Sequence, residues 1–396
     1  MKMTEDAFPV SIATTIHEID AEQWDALGDA NNPFLEHRFF AALEDSGSVG
    51  KKSGWLPAYL LLHDSQGSLH GAVPSWLRSN SYGEYIFDWA WASACQRAGI
   101  RYYPKITAAV PFTPVSGPRL LVHPDSDPAR VRSALGQAAL ELAGQAGCSS
   151  VHLLFCKEEE ARGLESLGYL VRRTFQYHWT NRGWKDFASF LADLKRKRRG
   201  EILRERRRLQ DAGVEIVLLR GAELDSSHWQ AIHGFYRDTI AKMGAIPYLS
   251  PQFFLEQAPA RLADRSVAVL ARRGGNWIAG SLSFARGAHL YGRYWGCSES
   301  VPGLHFELCY QRLIEYAIDS GMSRFEAGAQ GDHKLHRGLL PSSTWSAHYL
   351  AHQGLREAAQ DHLHHEARLL EEKMEWLLER GPYKDNFTQQ QAPKRS

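Results

Sequence analysis

Apolar and polar positions along this chain spell out the same order of elements twice. Residues 10–19, VSIATTIHEI, are rich in β-branched side chains and predict a strand. Asp20 follows as a helix N-cap, with Trp24 four positions on. Much later VEIVLLR (214–220) predicts a second such strand, and Asp225 caps a helix carrying Trp229 at the same spacing. A further helical stretch comes next in each case, at 31–47 and at 249–264. Then come two hairpins. LPAYLLLHDSQGSLHGAVPSWL turns around Asp64 to Gly67, and VAVLARRGGNWIAGSLSF turns at Gly274-Gly275. Each copy closes with a long helix ending in glycine (Gly147, Gly321) and a strand, CSSVHLLF or RFEAGA. Two β-α-α-β-β-β-α-β units in succession predict an α/β chain of two tandem, similar lobes.

The predicted boundaries are 1–180 for the first lobe, 181–212 for a connecting helix, 213–350 for the second lobe and 351–396 for a tail. Between cap aspartate and helix-ending glycine the first copy is longer by 31 positions. The surplus falls near 78–119, where Tyr82, Tyr85, Phe87, Trp89, Trp91, Tyr102, Tyr103 and Phe112 crowd together. Glu84, Asp88, Lys105 and Arg119 interleave with them. Two readings follow: a substrate cleft lined by Glu84, Asp88, Trp89, Lys105 and Arg119, or a satellite hydrophobic cluster beneath a long loop. In the tail, Leu363, Ala367, Leu370, Met374 and Leu377 form one apolar helical stripe that ends at Gly381-Pro382, before a frayed NFTQQQAPKRS.

Composition narrows the class. The 396 residues are 44% hydrophobic and 23% charged, which excludes wholesale disorder. No apolar run approaches the ~18 residues of a membrane helix. The N-terminal MKMTEDAFPV lacks the pattern of a secretory or transit peptide, so a cytoplasmic protein is expected. Five cysteines without C-x-x-C spacing point away from disulfides and zinc. The net charge of +1 conceals KRKRRGEILRERRR (195–208), a local +7 within a remainder of −6. Lys195–Arg208 reads as an amphipathic helix after Phe187, Phe190 and Leu194. It is either a solvated helix paired with acids elsewhere or a platform for an anion such as tRNA or a membrane surface. No aromatic residue interleaves within it, against single-strand stacking.

The element order resembles the GNAT acyltransferase fold, and two copies joined by a basic helix resemble the Fem-type tandem-GNAT enzymes of cell-wall peptide synthesis. NPFLEHRFFAALEDSGSVGKKSGWLP, SYGEYIFDWAWASACQRAGIRYYPK, AVPFTPVSGPRLL, LYGRYWGCSESVPGLHFELCYQRLIEYAI and FEAGAQGDHKLHRGLLP are similar to a bacterial GNAT-like group labelled peptidoglycan biosynthesis or recognition proteins. The resemblance implies two lobes of mixed, mostly antiparallel sheet flanked by helices. It also implies acyl or aminoacyl transfer to an amine of a muropeptide or other small acceptor. Acyl-CoA and aminoacyl-tRNA are the co-substrates implied, with no tightly bound cofactor and no metal. In GNAT folds the donor's diphosphate meets the loop before the long helix, here Ser300, Gly303 and Leu304. That loop departs from the family's R/Q-x-x-G-x-G/A pattern, having one glycine and no leading basic residue.

Amide formation needs a proton acceptor and donors for an oxyanion. Candidates in the second lobe are Glu326, His305 and Glu307, with Tyr291 or Tyr294 as an acid. Glu326 is equally read as a partnered buried carboxylate, and His305 and Glu307 as helix-capping residues. After RFEAGA the run Gln330-Gly331-Asp332-His333-Lys334, then His336 and Arg337, supplies groups for a phosphate or carboxylate, with His333, Lys334 and Arg337 as substrate binders. The alternative function is a non-catalytic protein that recognises a cell-wall precursor or an anionic surface.

Overall fold

The computed structural model describes residues 9–86, 88–329 and 331–384. Phe87, Gln330 and the NFTQQQAPKRS segment lie outside the described residues. Fifteen strands are formed among the described residues. The first eight are β1 (Val10–Ala13), β2 (Trp55–Pro57), β3 (Tyr59–His63), β4 (Leu69–Val73), β5 (Ser75–Arg78), β6 (Lys105–Ala108), β7 (Leu121–Val122) and β8 (Ser150–Cys156). They are followed by β9 (Leu170–Thr180), β10 (Glu215–Arg220), β11 (Ser266–Arg273), β12 (Asn276–Arg286), β13 (His289–Cys297), β14 (Arg324–Glu326) and β15 (Leu340–Leu350).

Two compact units emerge, and neither is one continuous stretch. Unit one holds the described residues up to Thr174 together with Thr344–Leu369; unit two holds Phe175–Ser343 and the residues from Leu370 onward. Strands β9 and β15 and the tail helix (Gln353–Glu379) are thus each divided between units.

In unit one, β1, β3, β4 and β7 form one antiparallel sheet. A second sheet runs β2-β5-β6-β8-β15, antiparallel except for the β6–β8 pair. Every residue of β8, SVHLLFC, is buried, which is why its sequence is a continuous run and not an alternation. The helix Pro128–Gln145 covers this sheet with Val131, Leu135, Ala138 and Ala139. Residues 79–104 lie between β5 and β6, with a helix at Trp89–Arg97 among them; the corresponding β12–β13 link in unit two is a tight turn at Gly287.

In unit two the sheet runs β10-β11-β12-β13-β14-β9, antiparallel except for β13–β14. Gly274 and Gly275 make the β11–β12 turn with φ of 56° and 83°, left-handed values that glycine adopts without a Cβ clash. The basic helix, Arg196–Asp211, buries Ile202 and Leu209 in the core of this unit.

The lobe order implied by the GNAT resemblance is therefore observed in both units. Among the described residues, no helix is long and apolar enough to cross a membrane.

Candidate functional site

In unit two β13 and β14 run parallel for three registers, His289–Arg324, Leu290–Phe325 and Tyr291–Glu326, and then diverge. A cavity of about 110 Å³ opens where they part. Gly292–Trp295 form one wall and Ala327–Gly328 the other. Its remaining wall comes from the helical segment after Gly303, which contains a π turn at Glu307–Gln311. That turn presents Cys309 and Tyr310 to the cavity, and Ser281 Oγ donates to Leu308 O at 2.8 Å. Wider turns of this kind leave backbone groups needing side-chain partners and recur at functional sites. A register shift at Leu282/Ser283 leaves Arg293 as the extra residue of β13, and Arg293 also lines the cavity.

Three polar groups give the cavity its chemistry. His305 is packed by the rings of Trp295 (5.0 Å), Tyr310 (5.4 Å) and His333 (5.8 Å), and it makes no hydrogen bond among the described residues. Burial, reinforced by the charges of His333, Lys334 and Arg337, pushes its pKa down to about 4. Its imidazole is thus neutral near pH 7, with a lone pair available. Ser283 Oγ is buried and also has no hydrogen-bond partner among the described residues. Lys334 is 3% exposed, donates from Nζ to Gly328 O at 2.8 Å, and is pushed by burial to about pKa 8. Tyr294 lines the cavity against Tyr236 and Phe254, and burial raises its pKa. Burial also raises the Cys309 thiol well above its ordinary value, which disfavours a thiolate nucleophile.

The other proposed residues lie elsewhere. Glu326, expected as a base, pairs with Arg324 at 2.9 Å and has His178 Nε2 at 3.7 Å. Strand alternation explains this: Ala327 faces the cavity, so its neighbour Glu326 faces away. Glu307 is bound by Arg206 at 3.0 Å and lines a separate recess with Leu209 and Val214. His333 accepts or donates at 2.9 Å to Tyr310 Oη and supports the cavity from behind. Arg337 is committed to Glu205 through two bonds of 2.6 and 2.9 Å, with its guanidinium 3.9 Å above the Phe306 ring.

In the loop expected to hold a diphosphate, Ser300 is exposed and Leu304 belongs to the core. Gly303 has φ 90°, and a Cβ there would sit 3.3 Å from the Cβ of Glu205 on the basic helix. A carboxylate-bearing side chain therefore occupies the approach to this loop.

In unit one, Glu84, Asp88 and Lys105 do not line an open cleft. They are buried and pair with one another: Lys105 Nζ reaches Glu84 at 2.8 Å and also Asp88 Oδ2, and Arg78 Nε reaches Glu84 at 3.2 Å, while Asp88 Oδ1 has no hydrogen-bond partner among the described residues. Buried charges persist only when paired, and here the pairing is internal. Burial pushes the Asp88 carboxyl up, but Lys105 and His152 outweigh it and hold it at about 2. Arg119, fully buried, donates to the carbonyls of Leu154, Gly117, Pro118 and Val115 and ties the 111–119 segment to β8. Trp89 is 42% exposed and meets Tyr82 edge to face at 5.6 Å.

The profile of the FemAB-like family, described as peptidoglycan biosynthesis/recognition, matches residues 15–385. The chain belongs to the FemAB-like family. Among solved structures, FemX is 11% identical, with 86% of this chain and 98% of FemX covered at a TM-score of 0.55. A C-terminal domain assigned to a lysylphosphatidylglycerol synthetase of Agrobacterium fabrum is 9% identical, covers 88% and 96%, and has a TM-score of 0.53. A conserved protein of unknown function from Bacteroides thetaiotaomicron is 9% identical, covers 86% and 99%, and has a TM-score of 0.51. At these identities the likeness is one of fold. No curated protein matches the sequence.

Sequence reasoning missed Ser283, Arg293 and Tyr310 in this FemAB-like chain. Ser281 and Ser283 alternate as small polar residues within the apolar GSLSF stretch, which was a usable signal for one face of β12. The bulge that turns Arg293 inward and the π turn that presents Tyr310 have no mark in a single sequence.

Proposed function

We propose that this protein transfers an acyl or aminoacyl group to an amine in cell-wall peptide synthesis, at the β13–β14 cavity. The observation that carries this reading is the convergence there of the unbonded His305 imidazole and Ser283 hydroxyl, with the Lys334 ammonium bonded to the cavity wall. The acceptor amine attacks the carbonyl carbon, forming the C–N bond. The resulting oxyanion is stabilised by Ser283 O–H and the Lys334 charge. His305 takes the proton lost by nitrogen and passes it to the leaving oxygen or sulfur as the C–O or C–S bond breaks, giving amide plus free alcohol or thiol.

The stem of Glu205 packs against Gly303, so the basic helix covers the loop that would take a diphosphate, and this steric cover favours an aminoacyl ester over a coenzyme A thioester. An anionic donor such as aminoacyl-tRNA would meet the basic helix. Arg196, Lys197, Arg204, Arg207 and Arg208 are exposed there and make no ion pair among the described residues, whereas Arg198 and Arg206 are spent on Glu201, Glu307 and Glu315. An anionic membrane surface is the other surface of matching charge.

The test is transfer from charged tRNA and from acetyl-CoA to nucleotide-linked muropeptides, with Ser283→Ala and His305→Gln as controls. Turnover lost in both variants supports the reading. Tight muropeptide binding with no turnover by the unaltered protein overturns it in favour of the non-catalytic binding protein.

A further inference from the structure

In unit two the helix Ser226–Met243 ends at Gly244, whose φ of 60° turns its N–H and that of Ala245 back onto the carbonyls of Ala241 and Ile240, both at 3.1 Å. Four residues on, the N–H groups of Tyr248 and Leu249 donate to Tyr236 Oη at 2.9 and 3.2 Å. The chain between these two anchors is held in a defined turn. It does not bury its side chains. All seven residues from Ala241 to Pro247 are exposed. Met243 at 72% and Ile246 at 66% are the most exposed large apolar side chains among the described residues. Leu255, 42% exposed, follows in a π turn at Phe253–Gln257.

The charge pattern is as unusual as the exposure. From Thr239 to Leu255 the sole charged residue is Lys242. Its Nζ donates once, to Cys297 O at 2.6 Å, and an ammonium keeps two further donors. Apolar tips, a half-buried Tyr248, one cation and no carboxylate suit the interface of a bilayer: apolar side chains meet acyl chains, tyrosine and lysine stay at the headgroups, and no acid is repelled by anionic lipid. The loop Cys297–Gly303, held by Lys242 at one end and packed on Glu205 of the basic helix at the other, spans at most about 22 Å. The cations of that helix therefore add attraction for an anionic surface on the same side of this loop's reach.

Shape and area point the same way. The turn is convex and lines neither the β13–β14 cavity nor the recess beside Glu307. Three partly exposed aliphatic side chains fall well short of the about 800 Å² per partner that a stable interface between two copies needs. A bilayer accepts a small tip, because insertion is judged side chain by side chain. The backbone of the turn is already ordered by Gly244 and Tyr236, so docking orders little more.

We propose that the Ala241–Pro247 turn docks this protein on an anionic lipid bilayer, with Met243 and Ile246 among the upper acyl chains and Lys242 at the headgroups. Tyr236, which holds the turn, packs edge to face on Tyr294 of the β13–β14 cavity at 5.5 Å, so one wall of that cavity stands beside the docked tip. The proposal is independent of the transfer reading, because binding alone judges it.

The experiment is co-sedimentation of the full chain with vesicles of phosphatidylglycerol and phosphatidylcholine at roughly 1:3. The chain is expected to sediment with them, and Met243→Ser/Ile246→Ser to weaken partitioning by about tenfold or more. Both side chains are exposed, and an unchanged melting temperature shows that the variant folds. Leu369→Ser, which removes a 52% exposed side chain of the tail helix, should leave partitioning unchanged. Insertion should persist in about 0.5 M salt, where attraction to headgroups is screened within a few ångströms. The proposal falls if the chain does not sediment, if the double variant sediments as the unaltered protein does, or if salt releases the chain completely. It falls equally if gel filtration without lipid shows a dimer that the double variant turns into a monomer, since the turn is then an interface between copies.

Discussion

His152 Nδ1 and His348 Nδ1 face each other at 2.8 Å across the β8–β15 pair. One ring must donate there and the other accept. Each Nε2 is bonded at 2.8 Å to a serine hydroxyl, Ser150 for His152 and Ser346 for His348, and those hydroxyls adapt to whichever tautomer is present. Burial drives both imidazoles below the ordinary histidine range, His152 to about 3.

Acid stability follows with a definite sign. The unfolded chain, with histidines near pKa 6.5, takes up protons before the folded one does. The pair's stabilisation is full above about pH 6.5 and is lost as the pH falls toward 3. Urea midpoints at pH 7.5, 5.5 and 4.5 should decrease in that order, and His348→Asn should flatten the decline. A midpoint independent of pH across this range would contradict the pairing.

Lys105→Met should destabilise unit one severely. Removing the cation leaves Glu84 and Asp88 buried with one partner fewer, a change that typically costs about 3–5 kcal/mol. Replacing the exposed Arg162 by Gln should cost no more than about 0.5 kcal/mol. Denaturant unfolding of the two variants side by side measures the difference.

At the β13–β14 cavity, His305→Gln should lower kcat by about 10²–10⁴-fold, the usual contribution of a positioned proton acceptor, and leave the melting temperature nearly unchanged. Transfer by the unaltered protein should fall below about pH 4 as His305 is protonated, and above about pH 8 as Lys334 loses its charge. Lys334→Met should abolish the upper limb while His305→Gln abolishes the lower. Initial rates from pH 4 to 9 test both.

Glu205→Gln keeps the side-chain volume and removes the charge that Arg337 meets with two bonds. The expected loss is about 1.5–3 kcal/mol, the range for hydrogen bonds to charged groups. Chemical denaturation measures it.

The exposed face of the basic helix predicts binding to tRNA that weakens linearly with the logarithm of salt concentration, with a slope near −0.7 to −0.9 per phosphate contact. Arg204→Ala and Arg207→Ala should each reduce that slope by about one contact. Filter binding across 50–300 mM salt is the measurement, and a flat response would rule out a phosphate-binding role.

Much of the fold was legible because it is written locally. Gly274-Gly275 between alternating strands leaves little freedom other than a tight hairpin, and Asp20 and Asp225 accept from the amides of Gln23, Ser227 and His228 as N-caps do. The site was less legible because its decisive features are not local. Whether a charged residue faces solvent or a buried partner depends on strands far apart in sequence, so for Glu84, Asp88 and Lys105 the sequence left a cleft and a cluster beneath a loop as equal readings. Glu326 stayed open between a cavity base and a partnered buried carboxylate, because the point where β13 and β14 part decides which face is open. Lys334 and His305 were visible as candidates, but Ser283 became one only when its hydroxyl was found without a partner.

Strand β8 lies fully inside unit one, yet it pairs on one side with β15, whose His348 stands 196 positions beyond His152. During synthesis, β8 leaves the ribosome with that edge unpaired and waits for most of unit two to be translated. At elongation rates of about 5–20 residues per second, the interval is on the order of ten to forty seconds. An exposed edge of buried-type residues is a template for the wrong strand. Until β15 follows, that edge of β8 is the part of the nascent first half most open to wrong pairing.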